Sequence, residues 1–124
     1  MKKKWFDKAI GDGVVLAAAF VPLPDSNEVS VYRTDNLNES EIWTLGFEEL
    51  KWNMLHGRGE LKTFEVTSES LRVEPEMSEH SLHANITNWP SKDFERENLA
   101  MKLALKAKLR INPTPKNLTK RDRI

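Results

Sequence analysis

The sequence predicts an α+β fold, a small and mainly antiparallel sheet with two packed helices between charged ends. Two observations carry that expectation. Short apolar or alternating runs at Val14–Val21, Glu28–Arg33 and Leu71–Pro75 are bounded by proline, glycine and polar residues, as strands are. Two longer stretches, beginning near Asn38 and Ser91, carry apolar residues at three- and four-residue spacing, as amphipathic helices do.

The chain opens on Lys2-Lys3-Lys4-Trp5-Phe6, and Gly11-Asp12-Gly13 marks a turn, so residues 1–13 read as a flexible or docked segment. The domain itself is expected over residues 14–111. Val14–Val21 is the longest apolar run and reads as a first core strand, closed by Pro22 and Pro24. It is far short of the roughly 20 residues that cross a bilayer. Asp7 and Asp12 interrupt the stretch before it, and no small-residue cleavage site follows, so an export signal is not expected. The second strand, Glu28–Arg33, sets Val29, Val31 and Arg33 on one face and Ser30 and Tyr32 on the other. It is expected to pair with the first.

Asn38 and Glu41 have the spacing of a capping box, which starts the first helix. Trp43, Phe47, Leu50 and Met54 follow as its core stripe, and Gly57-Arg58-Gly59 supplies its stop. Thr63–Ser70 is open between a short helical turn and an irregular crossover. Leu71–Pro75 alternates as a half-buried strand whose proline ends it or marks an edge. The polar stretch His80–Trp89 is expected to be an ordered loop held by side-chain hydrogen bonds. A second, well-buried helix is expected over about 91–109, capped by Ser91, with Leu99, Met101, Leu103, Leu105 and Leu109 covering most of its circumference. Asn112-Pro113-Thr114-Pro115 cannot continue it, so residues 112–124 read as a disordered basic tail that folding does not need.

Composition narrows the chemistry. There is no cysteine, which removes disulfides, thiolate metal sites and cysteine nucleophiles. Formal net charge is zero but segregated. Glu65–Glu97 carries eight acids against three bases, whereas from Asn98 onward eight bases face Asp122 alone. A cytoplasmic protein with no membrane contact is the expectation.

Ser30-Val31-Tyr32-Arg33, Ser40-Glu41-Ile42-Trp43 and His83-Ala84-Asn85-Ile86-Thr87-Asn88-Trp89-Pro90 together resemble a family of small bacterial proteins that share an S-V-aromatic-R segment and an H-A-N-I-x-x-W-P segment. The resemblance spans roughly Val14–Leu109. It implies a bacterial single-domain protein, attaches no activity, and draws attention to His83, Asn85 and Trp89.

The candidate binding residues are therefore Arg33, His80, His83, Asn85 and Trp89. His80 and His83 are the available imidazole metal ligands, but His-x-x-His without a third local ligand is a weak pattern, and no cofactor is expected. A triad of Ser78 or Ser81 with His83 and Asp93 lacks the glycine pattern of a nucleophile elbow. Neither Gly11-Asp12-Gly13 nor Gly57-Arg58-Gly59 has the spacing of a phosphate-cradling loop. Arg33 suits a structural clamp onto Asp35 or an acid of the first helix, and Trp89 a staple at the entry to the second helix. No catalytic set is complete, while tryptophan and phenylalanine are plentiful, so a protein-binding or accessory module is the leading expectation. The alternatives are an enzyme or metal-dependent activity centred on His80, His83 and Asn85 with Arg33, and weak nucleic-acid binding through the basic termini. The sequence is silent on oligomeric state.

Overall fold

The structure is a computed structural model and describes residues 6–7, 14–22, 25–50 and 57–112. The stretches 1–5 and 113–124, on which the basic start and tail were read, lie outside the described residues.

Three antiparallel sheets and three helices make up the described fold. β1 (Phe6–Asp7) pairs with β2 (Val14–Val15), and a three-residue 3-10 turn, Ala17–Ala19, follows. The expected strand Val14–Val21 is thus only two residues long. Ala17 and Ala19 pack against the rest of the core while Ala18 is exposed, and Phe20 N–H closes the turn on Ala17 O at 2.9 Å. Nor does it pair with the second strand. β3 (Val29–Tyr32) instead pairs with β6 (His83–Thr87), with Val29 opposite Ile86 and Tyr32 opposite His83. β5 (Arg72–Pro75) flanks β6 on its other side, so the order is β3-β6-β5.

The His80–Trp89 stretch is therefore not an irregular loop. Its second half is the central strand, because Ala84 and Ile86 alternate inward while the polar residues between them face outward. The polar composition reflects a one-sided core. Asn88 then takes a left-handed conformation (φ 67°), and its Nδ2 donates to the carbonyl of Ser70 at 2.8 Å.

α1 (Glu39–Leu50) starts as expected: Asn38 Oδ1 accepts from the Glu41 amide at 2.9 Å, and Glu41 Oε1 accepts from the Asn38 amide at 3.0 Å. Its stripe is less buried than expected. Leu45 is buried and Trp43 and Phe47 are half-buried, while the Leu50 side chain and Met54 lie outside the described residues. Gly57-Arg58-Gly59 is not a helix stop but the body of β4 (Gly57–Glu60). A Cβ on Gly59 would stand 3.2 Å from Val15 Cγ2, so glycine lets β4 approach β2. α2 (Thr63–Thr67) takes the helical option for its segment.

α3 (Asp93–Lys106) begins after Lys92 without a side-chain cap, so Ser91 does not cap it. Arg96, Ala100, Leu103 and Ala104 are buried, whereas Met101 is 54% and Leu105 82% exposed. The buried stripe is narrow, because the core meets the helix on one face only. Ala107 leaves helical geometry, and β7 (Lys108–Ile111) turns back to pair with β4. Asn112, expected to begin the tail, is buried. The core joins Val15, Phe20, Val66, Leu71, Ile86, Trp89 and Leu103. Among the described residues no helix is long and apolar enough to cross a membrane.

Candidate functional site: the polar sheet face and a cleft beside it

The two segments singled out in the sequence are spatial neighbours. β3 and β6 place Ser30, Tyr32, His83 and Asn85 on one face of the sheet, the one turned away from the core. His83 is only 6% exposed there, and both of its ring nitrogens are engaged. Nδ1 lies 2.8 Å from the Glu76 carbonyl and 3.2 Å from Glu76 Oε2. Both are acceptors, so Nδ1 carries the proton in the neutral ring and Nε2 accepts from the Ser30 hydroxyl. Glu76 is itself fixed by the amide and hydroxyl of Ser78. The Ser78 hydrogen bonds, and then His83, hold the Glu76 carboxyl below its ordinary range.

Asn85 sits directly across from Ser30 and donates from Nδ2 to Glu28 Oε2 at 2.7 Å. His80 turns inward on its own turn, its Nδ1 accepting the Leu82 amide at 3.0 Å. Its ring stands edge-on to Tyr32, 5.8 Å between centroids, and the His83 ring is 5.5 Å from the same phenol. Tyr32 O–H donates to Glu49 Oε1 at 2.8 Å. Burial first, and then that carboxylate, push the Tyr32 phenol well above its ordinary range, which keeps it a donor.

Arg33 and Trp89 do not join this group. Arg33 follows directly after β3, and its Nη2 donates to the Ser81 carbonyl at 3.0 Å. It is a clamp, but its partner is a carbonyl on the turn before β6, not Asp35 or an acid of α1. Its Nε is buried without a partner. Trp89 is a core residue, and its indole N–H closes on the Ile86 carbonyl at 2.9 Å. His80 and His83 gain no third ligand: among the described residues no three His, Cys, Asp or Glu side chains are grouped to hold a metal. The imagined triad is differently composed. Ser30, and not Ser78 or Ser81, meets His83, and Glu76, not Asp93, orients it.

This network gives a stability prediction. Replacing His83 with alanine leaves the Glu76 carbonyl and the Ser30 hydroxyl without their partner and should cost about 1–3 kcal/mol. Thermal melts with zinc and with chelator should superimpose; a zinc-induced rise that the variant loses would refute the structural role. Acid should act through three carboxylates among the described residues. Glu76, Glu69 held low first by Lys106, and Glu39 held low first by Arg58 bind protons less readily folded than unfolded. Their contribution is complete above the ordinary carboxylate pKa and is lost as pH falls through the lowered folded values. Urea midpoints measured between neutrality and about pH 3 should fall below about pH 4.5, and Glu69→Gln should flatten that fall.

The second feature was not legible in the sequence. A cleft of about 1140 Å³ runs between α1, β3 and β4. It takes in the apolar Phe20, Ile42, Trp43 and Val66, and Arg58 spans its wall. The Arg58 guanidinium lies 4.6 Å from the Trp43 ring centroid, with Nη2 2.7 Å from Glu39 Oε1 and Nε 2.9 Å from Glu60 Oε2. That stack holds α1 against β4. No family model, curated protein or solved structure matches this chain.

Proposed function

We propose that this chain is a small protein-binding or accessory module that engages a protein partner in the cleft between α1, β3 and β4, in a bacterial cytoplasm. The observation that carries the reading is the cleft itself, larger than most small-molecule pockets and walled by an aromatic residue braced by arginine. Trp and Arg are the side chains that most often dominate protein interfaces. The enzyme reading that combines His83 with Arg33 draws less support, since Arg33 closes on the Ser81 carbonyl while His83 is held by Ser30 and Glu76. Selection of peptides displayed on phage against the full chain tests the proposal. Enrichment that Ile42→Asp abolishes, in a variant that keeps the wild-type melting curve, is expected. No enrichment over an unrelated control protein would refute it.

A second reading has one observation in its favour. Ser30 O–H, His83 and Glu76 form a relay in which the accessible hydroxyl faces a base whose tautomer is set by an acid. A fluorophosphonate probe that labels Ser30, and fails on Ser30→Ala, would support an acyl-transfer enzyme; an unlabelled wild type rules it out.

A further inference from the structure

We propose that the outward face of α3 is a self-association surface, on which a second copy of this chain packs its own α3 antiparallel. Side chains of α3 that miss the core collect there in one row. At about 100° of turn per residue, Phe94, Asn98, Met101 and Leu105 fall within about 60° of one another. The row lies opposite the buried Arg96, Ala100, Leu103 and Ala104. Phe94 is 61% exposed, beside the still more open Leu105, and Asn98 is exposed between them. Spacings of four, three and four residues are those of a heptad seam, whereas apolar residues left on a surface by chance stand singly. None of these residues lines the cleft.

Charge decides what covers that row. The acids of α3, Asp93, Glu95 and Glu97, stand in its first half, and Lys102 and Lys106 in its second. This order answers the helix dipole within one chain. It also makes the helix complementary to itself when two copies run antiparallel, with acid half on basic half and the dipoles opposed. Among the described residues the three acids pair with no base. A parallel pair would set acids beside acids.

One register satisfies the whole row. With Phe94 set against Leu105 of the second copy, Asn98 meets Met101, and each contact recurs with the roles exchanged, as a two-fold axis requires. Glu95 and Lys102 lie on the same flank of the row, and in this register each faces the other on the second copy. Lys102 is open to it: Nζ stands 3.7 Å from Glu69 Oε1 with the side chain 59% exposed, while Lys106 holds the other Glu69 oxygen at 3.0 Å. Asn98, donor and acceptor at once, can pair with its own copy near the axis, which fixes register in a helical seam. The row is short. A helix of 14 residues is about 21 Å long, so the area covered is at the low end for a specific interface and Kd is on the order of 100 µM. At about one micromolar the chain is then monomeric, and Leu105→Ala leaves its folding stability unchanged there.

Sedimentation equilibrium of the full chain between about 10 µM and about 1 mM tests the surface. A monomer–dimer equilibrium is expected, weakened at least about fivefold by Leu105→Ala. A chain that stays monomeric throughout, or a dimer that Leu105→Ala leaves as tight, overturns the proposal. Charge exchange reads the direction. Glu95→Lys and Lys102→Glu each set like charges opposite one another twice, and each alone should weaken the dimer at least about tenfold. Mixed in equal amounts they restore both pairs, and affinity should return to within about threefold of wild type. A mixture no tighter than either variant alone refutes the pairing. Glu97→Lys makes the same charge change on the other flank of the row; full recovery from mixing it with Lys102→Glu would assign a parallel pair and overturn the antiparallel one. Should a charge variant fail to fold, the wild type decides. Carbodiimide coupling of an equal mixture of light- and heavy-nitrogen chain should give a mixed-isotope amide between Glu95 and Lys102, and coupling of these two only within one chain refutes the contact.

Discussion

Ile86→Ala is expected to remove about 2–5 kcal/mol of folding stability. Ile86 is 1% exposed at the centre of the middle strand, between β3 and β5. Its inward face meets the same cluster as Leu103 of α3, so truncation opens a cavity where sheet and helix meet. A close-packed interior relaxes only partly around such a cavity, and the lost transfer energy and the void both count. A domain of this size has on the order of 5–15 kcal/mol in all. Urea unfolding should show the loss as a lower midpoint at an unchanged slope. A loss under about 1 kcal/mol would mean that β6 is not the core strand described above. Leu105→Ala, on the exposed side of α3, is the matched control and should change stability by less than about 0.5 kcal/mol.

Arg96→Met should cost about 2–4 kcal/mol although it keeps an apolar stem of similar reach. Arg96 is 9% exposed on the buried side of α3, and its guanidinium is divided among three acceptors. Nε donates to the Pro90 carbonyl at 2.6 Å, Nη1 to the Ser26 carbonyl at 3.3 Å, and Nη2 to Asn27 Oδ1. One side chain thereby ties the loop before β3 to the entry of α3, two segments about 70 residues apart. Removing it leaves these carbonyls without their charged donor. Lysine carries the charge but not the planar fork, so Arg96→Lys should recover less than half of the loss. Amide exchange should quicken at Asn27 and Glu28 in both variants and hardly change in α2. A Met variant as stable as wild type would show that the fork contributes nothing.

The two predictions bear on function through position. Arg96 holds the loop that leads into β3, and β6 pairs with the same strand, so both fix the position of β3, which borders the cleft. The polar face is fastened separately by His83, Ser30 and Glu76.

What the sequence by itself determined was what depends on neighbours in the chain. The Asn38–Glu41 capping box, the alternation of Leu71–Pro75, the α+β class and the start of α3 within two residues follow from local hydrogen bonding and periodicity. Tertiary structure decided the rest. His80–Trp89 looked irregular because polar residues dominate it; only pairing on both sides makes His83–Thr87 a central strand with Ala84 and Ile86 inward. Gly57-Arg58-Gly59 has the composition of a stop, yet β7 and the close approach of Val15 turn it into a strand. Leu105 and Met101 are as apolar as Leu103, but one packed face selects among them. The candidate residues divide in the same way: His83 and Asn85 meet Ser30 and Glu28 across more than fifty residues of chain, and Arg33 closes on the Ser81 carbonyl. The cleft has no local signature at all, because α1, β3 and β4 meet around it only in the folded chain, and no spacing along one of them records that.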